Sequence, residues 1–534
     1  MSHDGQRSKR RAPSGDRESL IDPPLSQVAK RLQQNRLILD RWDFDFAGQS
    51  PQALRADIRN YLLTQARQYT VQYRDVSLPS DRSADSLFVV TGHQPELFHA
   101  GVWFKNFVLD RIAQQSQAVP IHLIIDNDIP KTTAIRIPSG TVANPTTQTI
   151  ALERPTAFPF EERFIQDDLL YQSFDQRVYS AIQTLVPDPL LIENWQESLK
   201  ADEGENNLGY RLARFRHRQE AKIGLQTLEL PLSSVCDHST FDVLAANLFS
   251  RFEQVYQTYN QSLMEHRLVH RIRSQVHPVP NLTLRDDWHE LPFWIWTDSN
   301  PHRRALFVRR HQKQFELSDL KGGAAWRLGD CESAIGKHFS KLRGQGVKIR
   351  PRALITTLFA RLFLSDLFLH GIGGGNYDEL TDLLILRLFQ VDAPGYLTAT
   401  STLRLPIQGV RVPAVPPSEL KQRLHELRFH PERCLPSRLH ENDQVSRLVA
   451  QKCHWIQQQL PRGQRKQRHD EIEAANSALR VFLKEDVMAI EAELTRATQA
   501  LRNQSILASR DYSFCLFPLS QIRDGLSECL LSGA

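Results

Sequence analysis

Apolar and polar residues alternate at helical spacing through residues 25–75, as in QALRADIRNYLLTQARQYT, and this pattern predicts a helical lead-in. The pattern changes at SLFVVTGH, a short apolar run rich in β-branched residues that ends near Gly92 and predicts a buried strand. Phe104, Phe107, Val108 and Ile112 then stand at i, i+3, i+4 and i+8, one stripe of a helix beginning near Gly101. VPIHLIIDND predicts a second strand. A strand, a helix and a strand in this order form a βαβ unit with parallel strands and a right-handed crossover. The expected fold is therefore α/β, with a Rossmann-like parallel sheet at its core.

Residues 155–275 are helical in pattern and heavily charged, while LPFWIWTD and RRALFVRR predict two strands joined by the turn signal SNPH. Between 347 and 390 an apolar segment leads to a short strand, DLFLH, then to four glycines in five residues and a helix. From about residue 440 the pattern is helical again. Leu483, Val487, Ile490, Leu494, Ala497 and Leu501 step by 4, 3, 4, 3 and 4, the seam of a coiled coil, and Val449, Cys453, Ile456 and Leu460 repeat that step upstream. PRG at 461–463 separates the two runs, which predicts a helical hairpin packed on itself or on a second copy.

The expected organisation is a disordered basic tail over 1–24, a helical lead-in and first half of the core over 25–154, and an inserted region over 155–345. The second half of the core follows over 346–415, a helical coiled-coil domain over 416–505, and a segment returning to the core over 506–534.

Composition narrows the function classes. A chain of 534 residues with 41% hydrophobic and 24% charged residues holds two or three domains. No run reaches the roughly 18–20 apolar residues a membrane span needs, so no membrane partner is expected. The opening MSHDGQRSKRRAPSGDRES lacks the apolar core of a secretion signal, and a cytoplasmic location is expected. Six scattered cysteines without a CxxC pair argue against a disulfide framework or a zinc site. A net charge of +5 is small for this length, and nucleic acid is not an expected partner.

Candidate chemistry collects where an open α/β sheet binds ligands, at the carboxyl ends of its strands. Thr91, Gly92, His93 and Gln94 line the first such loop, Glu96 and His99 follow it, and Lys105 and Asn106 ride the first helical turns. The next strand ends in Asp126, Asn127 and Asp128, with Lys131 behind them. Those carboxylates suit a magnesium ion, an amine or a sugar hydroxyl, or else they cap the following turn. His93 and His99 are read either as ligand groups or as satisfied surface histidines.

In HGIGGGNYDELTD, Gly371, Gly373, Gly374 and Gly375 precede Asn376, Asp378 and Glu379, and such glycines let a backbone approach a phosphate or carboxylate closely. The loop has neither the Gly-Lys-Ser/Thr ending of a Walker A loop nor GxGxxG spacing. Arg350 and Arg352 carry guanidinium forks able to hold an anion, or are ordinary surface residues.

TGHQPELFHAGVWFKNFVLDRIA with IHLIIDNDI, and RPRALITTLFARLFLSDLFLHGIGGGNYDEL further on, resemble stretches of the bacillithiol biosynthesis cysteine-adding enzyme family. The resemblance implies a Rossmann-like core related to nucleotidyl-transferase folds, a coiled coil that supports homodimers, and ligation of cysteine to a glucosamine–malate conjugate. By position it carries over Thr91, Gly92, Gln94, Lys105, Gly373 and Gly374. His93 stands where that family has a glutamine, and DNDIPK replaces its acidic stretch.

The expectation is a divergent ligase that forms a C–N bond on a small polar substrate, with ATP or ADP and Mg2+ as the cofactors to test. Asp126 and Asp128 are assigned to amine or metal binding, and His93 to proton transfer or an oxyanion contact. Lys105, Arg350 and the glycine loop are assigned to anionic groups. A nucleotidyl-transferase is one rival, although its H-x-G-H motif is absent and His93 and His99 are six apart. A non-catalytic, ligand-sensing dimeric scaffold is the other.

Overall fold

The computed structural model describes residues 10–79, 81–321, 325–459, 461 and 464–532. The chain is mixed α/β and divides into two compact units, one formed by 1–137, 148–406 and 510–534, the other by 138–147 and 407–509. No helix among the described residues is long and apolar enough to cross a membrane.

In chain order the strands are β1 (Glu18–Asp22), β2 (Phe88–His93), β3 (Val119–Ile124), β4 (Ala134–Gly140), β5 (Pro145–Ala151), β6 (Leu228–Pro231) and β7 (Leu284–Arg285). They continue with β8 (Trp288–Thr297), β9 (Asn300–His311), β10 (Gln314–Ser318), β11 (Ala325–Arg327), β12 (Val347–Pro351), β13 (Leu367–His370) and β14 (Leu397–Thr402). The main sheet runs β1-β14-β13-β2-β3-β6. Every pair in it is parallel except β1 with β14.

The expected βαβ unit is present as β2, the helix Ala100–Ser116 and β3. Gly101 lets that helix start close to the sheet, since a Cβ there would run into the Ser401 carbonyl of β14. One face of the sheet is apolar: Phe88, Val90, Ile121, Leu123 and Leu230 pack against Leu54, Ile58, Leu62 and Ala66. Those last four form the i, i+4 stripe of the helix Pro51–Val71, which Ser50 caps by accepting from Ala53 N. At the amino end of β2, Asp366 accepts from Phe88 N at 2.8 Å and from Arg59 at 2.9 Å, fixing β13 against the start of β2.

Two expectations fail here. The disordered tail does not extend to residue 24, because residues 18–22 form β1, whose backbone pairs with β14 from Glu18↔Thr402 to Asp22↔Thr398. Its ESLID sequence alternates too weakly to announce a strand, and the pairing supplies what the pattern lacks. Residues 1–9 of the expected tail lie outside the described residues. The strand carrying Arg350 also does not belong to the second half of the core. It is β12, which pairs antiparallel with β8 in a second sheet, β11-β10-β9-β8-β12. The predicted hairpin is β8 and β9 of this same sheet.

The other unit contains the helices Pro417–Phe429, Asp443–Gln457, Arg465–Arg480 and Lys484–Leu507. Leu427, Leu435, Val445, Leu479 and Leu483 form its core, and Val487 and Ile490 pack against it half-buried. Of the predicted seam, Leu483 and Ala497 are buried while Leu501 is 48% exposed. Leu460 and the Arg462–Gly463 part of the predicted break lie outside the described residues.

Candidate functional site

The chain builds β2, β3 and β6 outward in one direction, then returns to place β13 and β14 on the other side of β2. Strand order therefore reverses between β2 and β13. In open α/β sheets the crevice outside the carboxyl ends at such a point is where ligands bind. β2 ends in His93 and the loop after it opens with Gln94, while the loop after β13 is the glycine segment.

Lys105 joins these two loops. From the second turn of the helix Ala100–Ser116 its Nζ donates to the Gly92 carbonyl at 2.9 Å, and its Cδ lies 3.8 Å from where a Cβ on Gly371 would stand. The side chain is buried, which pushes its pKa down from the ordinary lysine range to about 7, and the neighbouring Arg216 charge adds to the effect. At neutral pH this amine exists in both protonation states.

His93 Nδ1 lies 3.0 Å from the Gln94 carbonyl. A carbonyl only accepts, so Nδ1 carries the proton and Nε2 of the neutral ring keeps its lone pair. Burial, then the Lys105 charge, hold the imidazole well below its usual pKa. The ring packs edge-on to Phe98 at 4.8 Å.

Gln94 Nε2 donates to Asp128 at 2.8 Å, and Arg303 meets the other Asp128 oxygen at 2.6 Å. This polar chain ties the loop after β2 to the loop after β3. Next to it a cavity of about 70 Å³ is lined by Glu96, Pro130, Thr132, Phe160 and Leu212, among others. Burial and the Asp128 charge raise the pKa of Glu96.

The glycine segment folds as the short helix Ile372–Gly375. A Cβ at Gly374 would run into His370, and one at Gly375 into Thr398, whereas Gly373 has open space. Two of these glycines are thus required by close packing. Asn376 exchanges two hydrogen bonds with the Arg10 backbone, and the Arg10 guanidinium donates to the Gly375 carbonyl at 3.0 Å.

Several sequence candidates are turned away from the crevice. Thr91 Oγ1 donates to the Leu369 carbonyl and joins β2 to β13. Gly92 acts through its carbonyl and through tight packing on Ile125. His99 caps the helix Ala100–Ser116, its Nδ1 accepting from Gly101 N at 3.1 Å. Asn106 donates to the buried Glu220. Asn127 donates to the Pro351 carbonyl.

Asp126 is wholly buried and accepts from Ser233 N, Ser233 Oγ and Tyr210 Oη. Burial and the nearby Glu161 charge raise its pKa to about 7. It fastens the loop after β3 to the segment after β6. Arg350 forms a two-pronged pair with Glu161 at 2.7 and 3.0 Å. Arg352 pairs with Glu290 at 2.6 Å and lies over Trp294. Asp378 is buried between Arg361 and His370, at 2.6 and 2.9 Å. Arg350, Arg352 and Asp378 thus each meet a counter-charge within the chain, as burial requires, while Asp126 is held by neutral donors.

The sequence reading missed three groups. His370 ends β13 directly before the glycine loop, a position equivalent to that of His93, and its place in LHGIGGG was the available signal. Arg10 reaches the same loop from a segment read as disordered. His122 and Glu229 extend from the candidate Thr91 a polar row across β2, β3 and β6, on one face of the sheet. Glu229 there accepts from His122 at 2.7 Å and from Arg216, which also pairs with Glu220. His122 Nε2 is buried with no partner among the described residues. A lone histidine within the apolar run VPIHLII was its only trace.

Within the second unit a cavity of about 690 Å³ is lined by Val142, Arg411, Val412, Arg496 and Asn503, among others, none of them a sequence candidate. A scan of the chain against protein-family models finds no match, and a search of curated proteins finds no similar sequence.

Proposed function

We propose that the protein is a C–N-bond-forming ligase resembling the bacillithiol cysteine-adding enzymes, acting on a small polar substrate in a Rossmann-like core. The observation that carries this reading is the reversal of strand order between β2 and β13, with His93, Gln94 and Lys105 on one side and the glycine loop on the other. Numbered along the chain, the five parallel strands stand in the order third, second, first, fourth, fifth, that of doubly wound sheets that bind ligands at this crevice. The two stretches that resemble the family supply its two sides, one giving β2, its loop and Lys105, the other β13 and the glycine loop.

In this reading a carboxyl group would be activated by a nucleotide such as ATP with Mg2+ as an acyl phosphate or acyl adenylate, and an amine would attack it, the acyl C–O bond breaking as the amide C–N bond forms and phosphate or AMP leaving. The bare Nε2 of His93 accepts a hydrogen bond from the attacking amine and orients it. Lys105 in its charged form and the Gly371–Gly375 backbone hold the anionic part of the substrate or nucleotide. Asp128, oriented by Gln94, receives the amine. Asp126, Arg350 and Arg352 keep these loops in place and do not touch the substrate. The half-covered seam of the helix Lys484–Leu507 pairs with a second copy.

The test is the thermal stability of the purified protein against ATP, ADP, cysteine, an aminosugar and a glucosamine–malate conjugate, with and without Mg2+. A ligand at 100 times its dissociation constant adds about 2.7 kcal/mol. Stabilisation by cysteine or the aminosugar conjugate, lost in Lys105→Met, supports the ligase. A response to nucleotide alone favours a nucleotidyl-transferase, and no response to any of them favours a scaffold.

A further inference from the structure

The helix Phe252–Val269 carries His266 in its last turn, and His270 follows directly after its end. Four residues apart, the two imidazoles lie on one face, with ring centres 4.3 Å apart. Glu379, the first residue of the helix Glu379–Phe389, meets them there, its Oε2 2.9 Å from His270 Nε2. One donor atom from each of the three residues lies within 4.8 Å of the others.

An ion pair between His270 and Glu379 accounts for two of these groups and leaves the third unexplained. His266 is 5% exposed and packs its ring against that of His270, which places its nitrogens beside the other two donors.

We propose that His266, His270 and Glu379 form a binding site for a divalent transition metal, zinc above all, with the fourth position open to water or to a ligand. Two imidazole nitrogens and a carboxylate oxygen are a zinc donor set, and tetrahedral coordination at about 2.0–2.1 Å places donors roughly 3.3 Å apart. The donor atoms lie within 4.8 Å of one another, so the side chains draw together when the metal binds. No cysteine takes part.

The position gives the metal a consequence. Glu379 follows Asp378, which holds His370, and both residues close the stretch that begins with the glycine loop. A metal at Glu379 therefore fixes the start of that helix directly behind the loop and ties it to the helix Phe252–Val269.

The experiment uses the full chain, stripped with a chelator and titrated with zinc against a chromophoric competitor, then loaded with cobalt for its visible spectrum. One equivalent of zinc is expected, with the absorption of four-coordinate cobalt. Glu379→Gln, which keeps the size of the side chain, and His266→Gln are each expected to weaken binding at least about tenfold. If His266→Gln does not fold, His270→Asn replaces it, and circular dichroism checks that each variant is native. Absence of stoichiometric zinc, or binding unchanged in Glu379→Gln and in the histidine variant, overturns the proposal and leaves His270 and Glu379 as an ion pair.

Discussion

Lys105 Nζ donates to the carbonyl oxygen of Gly92 at 2.9 Å, on the β2 side of the point where strand order reverses. A buried ammonium needs more than one neutral acceptor, and the low pKa of about 7 expresses that shortage. Between about pH 7 and the ordinary lysine value of 10.5 the unfolded chain binds a proton here that the folded chain does not. Stability therefore rises with pH through that window, and the full cost is present below it. Lys105→Met is expected to be more stable than the parent at pH 6, by on the order of a few kcal/mol, with the difference shrinking toward pH 10. The same variant is expected to bind an anionic ligand about 10- to 100-fold more weakly, the loss of a charged hydrogen bond. Paired denaturation curves and titrations check both.

Asp126 and Asp128, two residues apart, are expected to respond oppositely. Asp126→Ala leaves Ser233 N, Ser233 Oγ and Tyr210 Oη without their buried acceptor, costing about 2–4 kcal/mol. Asp128 is partly exposed, so Asp128→Ala is expected to change stability by less than about 1 kcal/mol while lowering affinity for an amine-bearing substrate. Urea unfolding and ligand titration of the two variants separate these roles.

The contrast between these aspartates shows how far the sequence could be read. Periodicity located β2, the helix after it, β3 and β13, because apolar runs and i, i+4 stripes report burial directly. It also placed the polar cluster at the carboxyl ends of β2 and β3, since such a cluster between buried segments marks a strand end. It could not tell which polar side chains at that edge turn inward. Arg350 looked free because Glu161, its partner, is 189 residues away, and Asp126 looked open because Ser233 comes 107 residues later. β1 escaped notice because its stability comes from pairing with β14, almost 400 residues distant.

Asp378 supports both the end of β13 and the helix that follows the glycine loop. Coulombic attraction to His370 and Arg361 outweighs its desolvation and holds its carboxyl well below the usual range. Its contribution is present above the unfolded aspartate value of about 4 and is lost only as pH falls toward the depressed folded value. Asp378→Asn leaves the buried Arg361 with a weaker partner and is expected to cost about 3–5 kcal/mol at pH 7, with a smaller difference at pH 3. Denaturant midpoints at the two pH values test the sign.

The helix Lys484–Leu507 and the residue before it carry both buried and exposed apolar positions of the predicted seam. Leu483, at its start, is buried with Leu479 in the core of its own unit, so Leu483→Ala is expected to destabilise that unit by about 2–5 kcal/mol. Leu501 is 48% exposed and belongs to the same predicted stripe. In a monomer, Leu501→Glu is close to neutral, because an exposed leucine carries little packing energy. In a dimer formed through this stripe, it places a charge in an apolar contact and dissociates the pair. Light scattering of the parent and of Leu501→Glu is expected to give a dimer and a monomer respectively, with the helical content of both unchanged. A monomeric parent, or a dimer indifferent to the substitution, removes this helix from the interface.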